Sequence, residues 1–505
     1  MMLRGFVVVC LMAVSSFVRS QDIFDSSVLH SIHLQMPTGN WYDTLAVWYD
    51  EGAKSDESKK FMETNVTIDG NKLTEVAGIR FKGQYSYTGF PGKKKPFRLH
   101  FNKFNSQRYQ GIRKINLHNL AGDPSFLREH LSYNFLRHIG VPASRASYAK
   151  LYINNQYWGV YLIVEEPEDK LFLENHFGTS KGNLFDSKNT TRLQYLGDDE
   201  KLYSKELKLQ TDYSVTAWKN LISFLDFYNN SIAPNYGSLF KEKLETETYF
   251  KTLSADVFLN NWDSYPFNGR NFFIYDNPKT NQLHWIPWDY NLSMWKEDLP
   301  VWPLDGNSSY QYKPLIWKIK SSTLLTRAYY KALCRLVNET SGTFPYEQLV
   351  NNAQKLIGSA VLEDTLKFYT YNQFVKNGDD TVIVSMLRSN IAKDITLPGI
   401  KTIFKTRAAK VREQLLKLGC DCGVEKNDVL QVRLYPNPAV DELKIAVQSA
   451  DVKSIPVTVS NTLGVNLFTR QLILQTGVAS LNISSLANGF YFLKIEDKSI
   501  PFLKQ

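Results

Sequence analysis

Two aspartates and an asparagine stand where apolar segments give way to loops. They are Asp263 in W-D-S-Y-P-F-N, Asn268 five residues on, and Asp289 in I-P-W-D-Y-N. A carboxylate at such a position is costly to desolvate unless it meets a cation or a proton donor. A carboxylate and an amide oxygen that converge suit a hard cation such as Mg²⁺, which takes oxygen ligands from few residues and keeps its other positions for water and phosphate. Asn268 and Asp289 would supply those ligands. Asp263 is then left to orient or deprotonate a hydroxyl. The competing explanation is that all three merely cap helix and strand ends.

For these groups to meet, residues 246–295 must fold as a helix, a loop, a hairpin and a second loop. The helix is expected to end at Asn260-Asn261, and a hairpin of residues 272–275 and 283–288 returns the chain so that Asp289 faces the first loop. A D-x-x-x-x-N loop followed by a metal-holding Asp is the order used by protein kinases. The usual signatures are missing: there is no G-x-G-x-x-G, no H-R-D, no D-F-G, and no Walker A spacing in Gly89-Phe-Pro-Gly-Lys-Lys-Lys. Trp262 replaces the customary Arg, and Tyr290-Asn291 replaces Phe-Gly. Spacing alone thus supports an atypical kinase at most.

The remaining elements frame this stretch. From Val76 the pattern is strand-rich, with Arg80 and Lys82 on one face and Ile79 and Phe81 on the other. Phe97, Leu99 and Phe101 then alternate with Arg98 and His100. A solvated sheet face is the plain reading of these basic residues. A helix is predicted from Asp123, its N-cap, to Gly140, with an apolar stripe of Leu127, Leu131 and Phe135 and with Arg128 and Glu129 off it. Two strands follow, joined at Asn154-Asn155, and the second ends on Glu165-Glu166-Pro167, which fits a hinge between two lobes and equally an ordinary strand end. Residues 168–250 and 310–418 read as helical, and 423–429 as a linker. From Val432 short alternating strands predict a separate β-sandwich of about 75 residues.

At 505 residues the chain should form two or three domains. Its first twenty residues carry Arg4, an apolar run from Phe6 to Val18, and Ser20, the make-up of a secretory signal peptide. No later stretch is apolar enough to span a membrane. Removing Arg4 and Arg19 takes the formal charge from +9 to +7. So mild a charge, without an interleaved basic stripe, argues against nucleic acid. The cluster Lys93-Lys94-Lys95 is better read as contacting phosphate-bearing ligands. Cys334, Cys420 and Cys422 remain after the signal peptide, too few for a disulfide framework or a four-cysteine zinc site. One bridge, from Cys334 to either of the other two, is allowed.

A family resemblance adds to this. G-I-R-F-K-G, K-K-P-F-R-L-H-F, N-L-H-N, D-P-S-F-L-R-E, Y-W-G-V-Y-L-I-V-E-E, W-D-S-Y-P-F-N and W-I-P-W-D, in this order, resemble the CotH family of spore-coat-type proteins over roughly residues 28–415. The resemblance implies an α+β, two-lobe, atypical kinase-like domain over residues 21–422 that binds ATP and Mg²⁺ and phosphorylates Ser, or Thr, of secreted or surface proteins. On it, Asp263 would be the catalytic-loop aspartate, and Asn268 and Asp289 the metal ligands. Lys82 and Arg98 would contact phosphate, Glu129 would pair with one of them, and Glu165 and Glu166 would lie at the hinge near the adenine. Where G-N-S-S is expected after the lysine, this chain has Gly83-Gln84-Tyr85-Ser86.

Residues 432–505, with Y-P-N-P near the start and G-F-Y-F-L-K near the end, resemble the C-terminal sorting domain of the type IX secretion system of Bacteroidetes. That implies passage through the periplasm and across the outer membrane by the type IX machinery, to the medium or the cell surface. The alternative to a kinase is a surface or matrix protein that uses the same fold for interaction without turnover.

Overall fold

The computed structural model describes residues 21–505 except 38, 55–58, 189, 212–213, 215, 232–235, 303–312, 389–390, 423–430, 449–453, 463–464 and 496–497. The expected signal peptide and the expected linker at 423–429 lie outside the described residues.

The N-terminal part is built on strands β1 (Leu29–Gln35), β2 (Met62–Ile68), β3 (Asn71–Lys72), β4 (Ala77–Phe81), β5 (Phe97–His100), β6 (Lys114–His118), β7 (Ala146–Ile153) and β8 (Gln156–Glu165). They pair in the order β1-β7-β8-β6-β5-β4-β2-β3, and β1 also pairs with β2, so the ladder returns on itself. One set of alternating side chains, including Ile32, Val66, Ile79, Phe81, Phe97, Leu99, Ile115, Leu117 and Leu151, packs into one core with Trp41 and Leu45 of the helix Trp41–Lys54. The opposite set is polar along the middle strands, where Arg80 sits across from Arg98 and Arg98 across from Asn116. The two-residue alternation read in the sequence is therefore the real one. Its polar side is covered, however: Asn116 and His118 are buried and Arg98 nearly so.

A second antiparallel sheet, β10-β9-β11-β12, comprises β9 (Asn183–Ser187), β10 (Leu207–Leu209), β11 (Phe272–Asn277) and β12 (Gln282–Pro287). Strands β9 and β10 interrupt a stretch expected to be helical. Gly182 makes this possible, because a Cβ there would collide with the Asp276 carbonyl and the Tyr275 ring of the neighbouring strand. One face of this sheet packs on Phe172, Leu173 and Phe177 of the helix Lys170–Phe177. The other joins the largest core, shared with the helices Thr246–Phe258, Thr323–Gly342, Tyr346–Glu363 and Ile400–Lys417. A hairpin, Val382–Arg388 with Ile391–Leu397, breaks the expected all-helical run.

Two further expectations need correction. The helix predicted from Asp123 starts at Arg128 and runs to His138. Asp123 still serves its beginning, because its carboxylate accepts from Arg128 N and from the Arg128 guanidinium, both at 2.7 Å, across a turn in which Phe126 has φ 64°. The Lys93–Lys95 cluster is not a phosphate patch. Lys94 is buried against Asp364, Lys95 donates to the carbonyls of Tyr87 and Phe90, and Lys93 alone of the three is exposed.

Asp364 ties three segments together. Besides Lys94 it accepts from Val160 N of β8 and Leu366 N. A Cβ at Gly159 would run into its carboxylate, so only glycine, at φ 113°, lets β8 pass so closely. A disulfide joins Cys334 to Cys422, and the sulfur of Cys420 lies 3.5 Å from that of Cys334. The C-terminal strands form sheets of three and four strands around Leu443, Ile445, Val457, Val459, Leu481 and Leu493.

Candidate functional site

The polar side of the middle strands faces the helix Arg128–His138 and the loops around β11 and β12. Lys82 follows β4 directly, held by its backbone N–H on Pro96 O. Its Nζ lies 2.9 Å from His118 Nε2 and 5.2 Å from the centre of the Trp288 ring. His118, the last residue of β6, places Nδ1 2.8 Å from Glu129 Oε2. Glu129 sits in the first turn of its helix and is 3% exposed. Lysine and glutamate are thus joined through an imidazole.

Asp289 enters from the opposite side, two residues past β12. Its backbone takes the left-handed conformation (φ 53°), which aspartate tolerates better than most residues. Its N–H donates to Tyr133 Oη at 3.0 Å, and Tyr133 lies one turn beyond Glu129 on the same helix. One donor atom each of His118, Glu129 and Asp289 lies within 4.8 Å of the others. Asp289 Oδ1 and Glu129 Oε1 are both buried and receive no hydrogen bond among the described residues. Bare carboxylate oxygens in low dielectric call for a proton or a cation.

The pKa values reflect that demand. Burial first, and Glu129 second, push Asp289 up to about 6 against the pull of His118 and Lys82. Burial pushes Glu129 up to about 8 against Lys82. Burial lowers Lys82 to about 8, and it drives His118 to about 3 with the help of Lys82, so the imidazole is neutral at physiological pH. A neutral imidazole that accepts from Lys82 at Nε2 carries its proton on Nδ1 and donates to Glu129.

Asp263 lies in the loop after the helix Thr246–Phe258. Asn268 Nδ2 and Asn271 Nδ2 each donate to one of its oxygens, at 3.2 and 3.1 Å. Asn271 O in turn accepts from Trp288 N, which links this loop to the one bearing Asp289. Asp263 contributes to the raised pKa of Asp289, so the two carboxylates feel each other.

The other expected site residues lie beside this cluster. Arg98 donates to Glu166, and Asn116 bridges the two, accepting from Arg98 Nε at 3.2 Å and donating to Glu166 at 3.0 Å. Glu165 is held by the Arg145 guanidinium at 2.7 and 3.1 Å, and among the described residues no cluster member bonds to it. The structure therefore gathers Lys82, Glu129 and Asp289, joins Asp263 to Asn268, pairs Arg98 with Glu166, and leaves Glu165 to Arg145. His118, Asn271 and Tyr133 were given no role from sequence. The same-face spacing of Asn116 and His118 on β6 was the available signal.

A buried acid lies directly behind the cluster. Tyr290, next to Asp289, donates to Asp256 Oδ1 at 2.5 Å, and burial pushes Asp256 up to about 7. The folded state keeps this proton where the unfolded chain has lost it. Asp256 therefore favours folding below the unfolded pKa of 3.8, and that contribution is lost as pH rises to about 7. Asp256→Asn should flatten the fall in stability between pH 4 and 7 and leave the variant more stable at pH 8, by up to about 4 kcal/mol. Urea midpoints across that range would show it.

Residues 79–392 match the family described as CotH kinase protein, more than half of the chain. The chain belongs to the CotH family. Every member of the cluster, from Lys82 to Asp289, falls inside the matched span. The inner spore coat protein H of Bacillus subtilis (strain 168) is 25% identical over 220 residues, 41% of this chain. This CotH-family chain spans 56% of that relative's length. Residues 433–505 match the family described as secretion system C-terminal sorting domain, which points to a secreted or cell-surface destination. Among the described residues no helix is long and apolar enough to cross a membrane.

Proposed function

We propose that this CotH-family chain is a secreted, kinase-like phosphotransferase that moves the γ-phosphoryl group of ATP to Ser or Thr of secreted or surface proteins. The observation that carries the proposal is the convergence of Lys82, Glu129 and Asp289 beside Asp263, with two buried carboxylate oxygens left without hydrogen bonds. When bound, ATP and Mg²⁺ supply the transferable group and the charge neutralisation that phosphoryl transfer requires. Asp289 and the Asn268 amide oxygen would hold the cation, since Asn268 spends its N–H on Asp263 and keeps its oxygen for a ligand. Lys82, steadied by His118 and the Trp288 face, offers its ammonium to phosphate oxygens. Asp263, fixed by two amides, accepts the proton of the acceptor hydroxyl. The polar strip of Arg98, Asn116 and Glu166 lies at the end of β8, beside which the nucleotide base would sit.

Calorimetry of ATP binding to residues 21–505, with and without Mg²⁺, tests this. Micromolar binding that requires Mg²⁺ and vanishes in Asp289→Ala is expected. An absence of binding under both conditions would sink the proposal and leave the fold as an interaction surface.

A further inference from the structure

We propose that His118, Glu129 and Asp289 form a site for a divalent transition-metal ion, distinct from the Mg²⁺ position assigned to Asn268 and Asp289. The three donors come from three separate elements: the end of β6, the first turn of the helix Arg128–His138, and the loop after β12. Their ligand atoms already lie within 4.8 Å of one another. Metal–ligand bonds of about 2.0–2.2 Å place donors roughly 3 to 4 Å apart around one ion, so closing the site takes shifts of well under an ångström to about one. Glu129 is 3% exposed and its Oε1 has no hydrogen bond among the described residues, nor has Asp289 Oδ1. Two buried carboxyl oxygens without a donor, on residues whose ligand atoms cluster, are a costly arrangement unless a proton or a cation fills it.

The imidazole decides the class of ion. Mg²⁺ demands oxygen ligands and dehydrates reluctantly, whereas imidazole beside carboxylates suits Mn²⁺, Fe²⁺, Co²⁺ or Zn²⁺. The Lys82 ammonium, 2.9 Å from His118 Nε2, holds the positive charge at this place in the metal-free chain. An entering ion takes over that charge and frees Lys82 to turn toward an anionic ligand. Asp289 is then shared between the two cation positions, as kinases share their metal-holding aspartate. The site requires no nucleotide, so it stands or falls independently of phosphoryl transfer.

Mn²⁺ titrated into the untagged chain 21–505 without ATP, followed by electron paramagnetic resonance, tests the proposal. One bound Mn²⁺ with a pulsed-resonance coupling to an imidazole nitrogen is expected. His118→Gln should remove the coupling and weaken binding at least tenfold, and Glu129→Gln, which keeps the side-chain shape, should weaken the same nitrogen-coupled signal. Bound Mn²⁺ without nitrogen coupling, coupling that survives His118→Gln, or displacement of Mn²⁺ by an equal concentration of Mg²⁺ would each overturn it.

Discussion

Asp263→Asn should lower phosphoryl transfer by about 10²–10⁴-fold while Mg²⁺-dependent ATP binding persists. The carboxylate sits between two amide donors, Asn268 Nδ2 and Asn271 Nδ2. An asparagine there keeps the shape and one acceptor oxygen. It cannot take the proton that leaves the acceptor hydroxyl, so the loss should fall on the chemical step. Single-turnover transfer from labelled ATP to a generic protein acceptor, measured beside calorimetric ATP binding, separates the two effects. An unchanged rate would remove Asp263 from the proton path. A matching loss of ATP binding would make it a ligand rather than a base.

Asp364→Ala should destabilise the chain by about 3–5 kcal/mol. The ion pair it forms with Lys94 is fully buried on both sides, and removal of one partner strands an ammonium where water cannot reach. The Val160 and Leu366 amides lose their acceptor as well. Urea denaturation of the single variant and of the double variant Lys94→Met with Asp364→Leu gives the comparison. The double variant should recover much of the loss, because the stranded charge is gone. A single variant as stable as the parent would mean that Lys94 finds water or another acceptor.

Both predictions rest on features that differed in how plainly the sequence displayed them. Asp263, Asn268 and Asp289 could be read because their order along one 27-residue stretch is local, set by a helix end and a hairpin. The faces of β4 and β5 could be read because two-residue alternation is local too. Periodicity shows which side chains share a face but not what covers it, so Arg128 and Glu129, off the apolar stripe, are nonetheless buried. The Lys94–Asp364 pair spans 270 residues, and no local pattern marks such a partner. The same holds for the pairing of β1 with β2 and β7, which turns the sheet back on itself. His118 was visible as a residue, but its position between Lys82 and Glu129 depends on three separate elements meeting. Strand β9 is only five residues long and depends on Gly182 for its close approach to β11.

The Cys334–Cys422 bridge ties the fold to its redox surroundings. It closes an 88-residue separation and pins the stretch after the helix Ile400–Lys417, the last helix among the described residues, to the helix Thr323–Gly342. Such a cross-link is worth on the order of 4 kcal/mol in restricted unfolded-chain freedom. A reducing cytoplasm withholds it and an oxidising compartment supplies it. The cross-link therefore separates two forms of this fold: a looser, reduced one and a more constrained one that an oxidising compartment sets. The constraint acts on the helices packed in the same core as the segment that leads to Asp263 and Asp289.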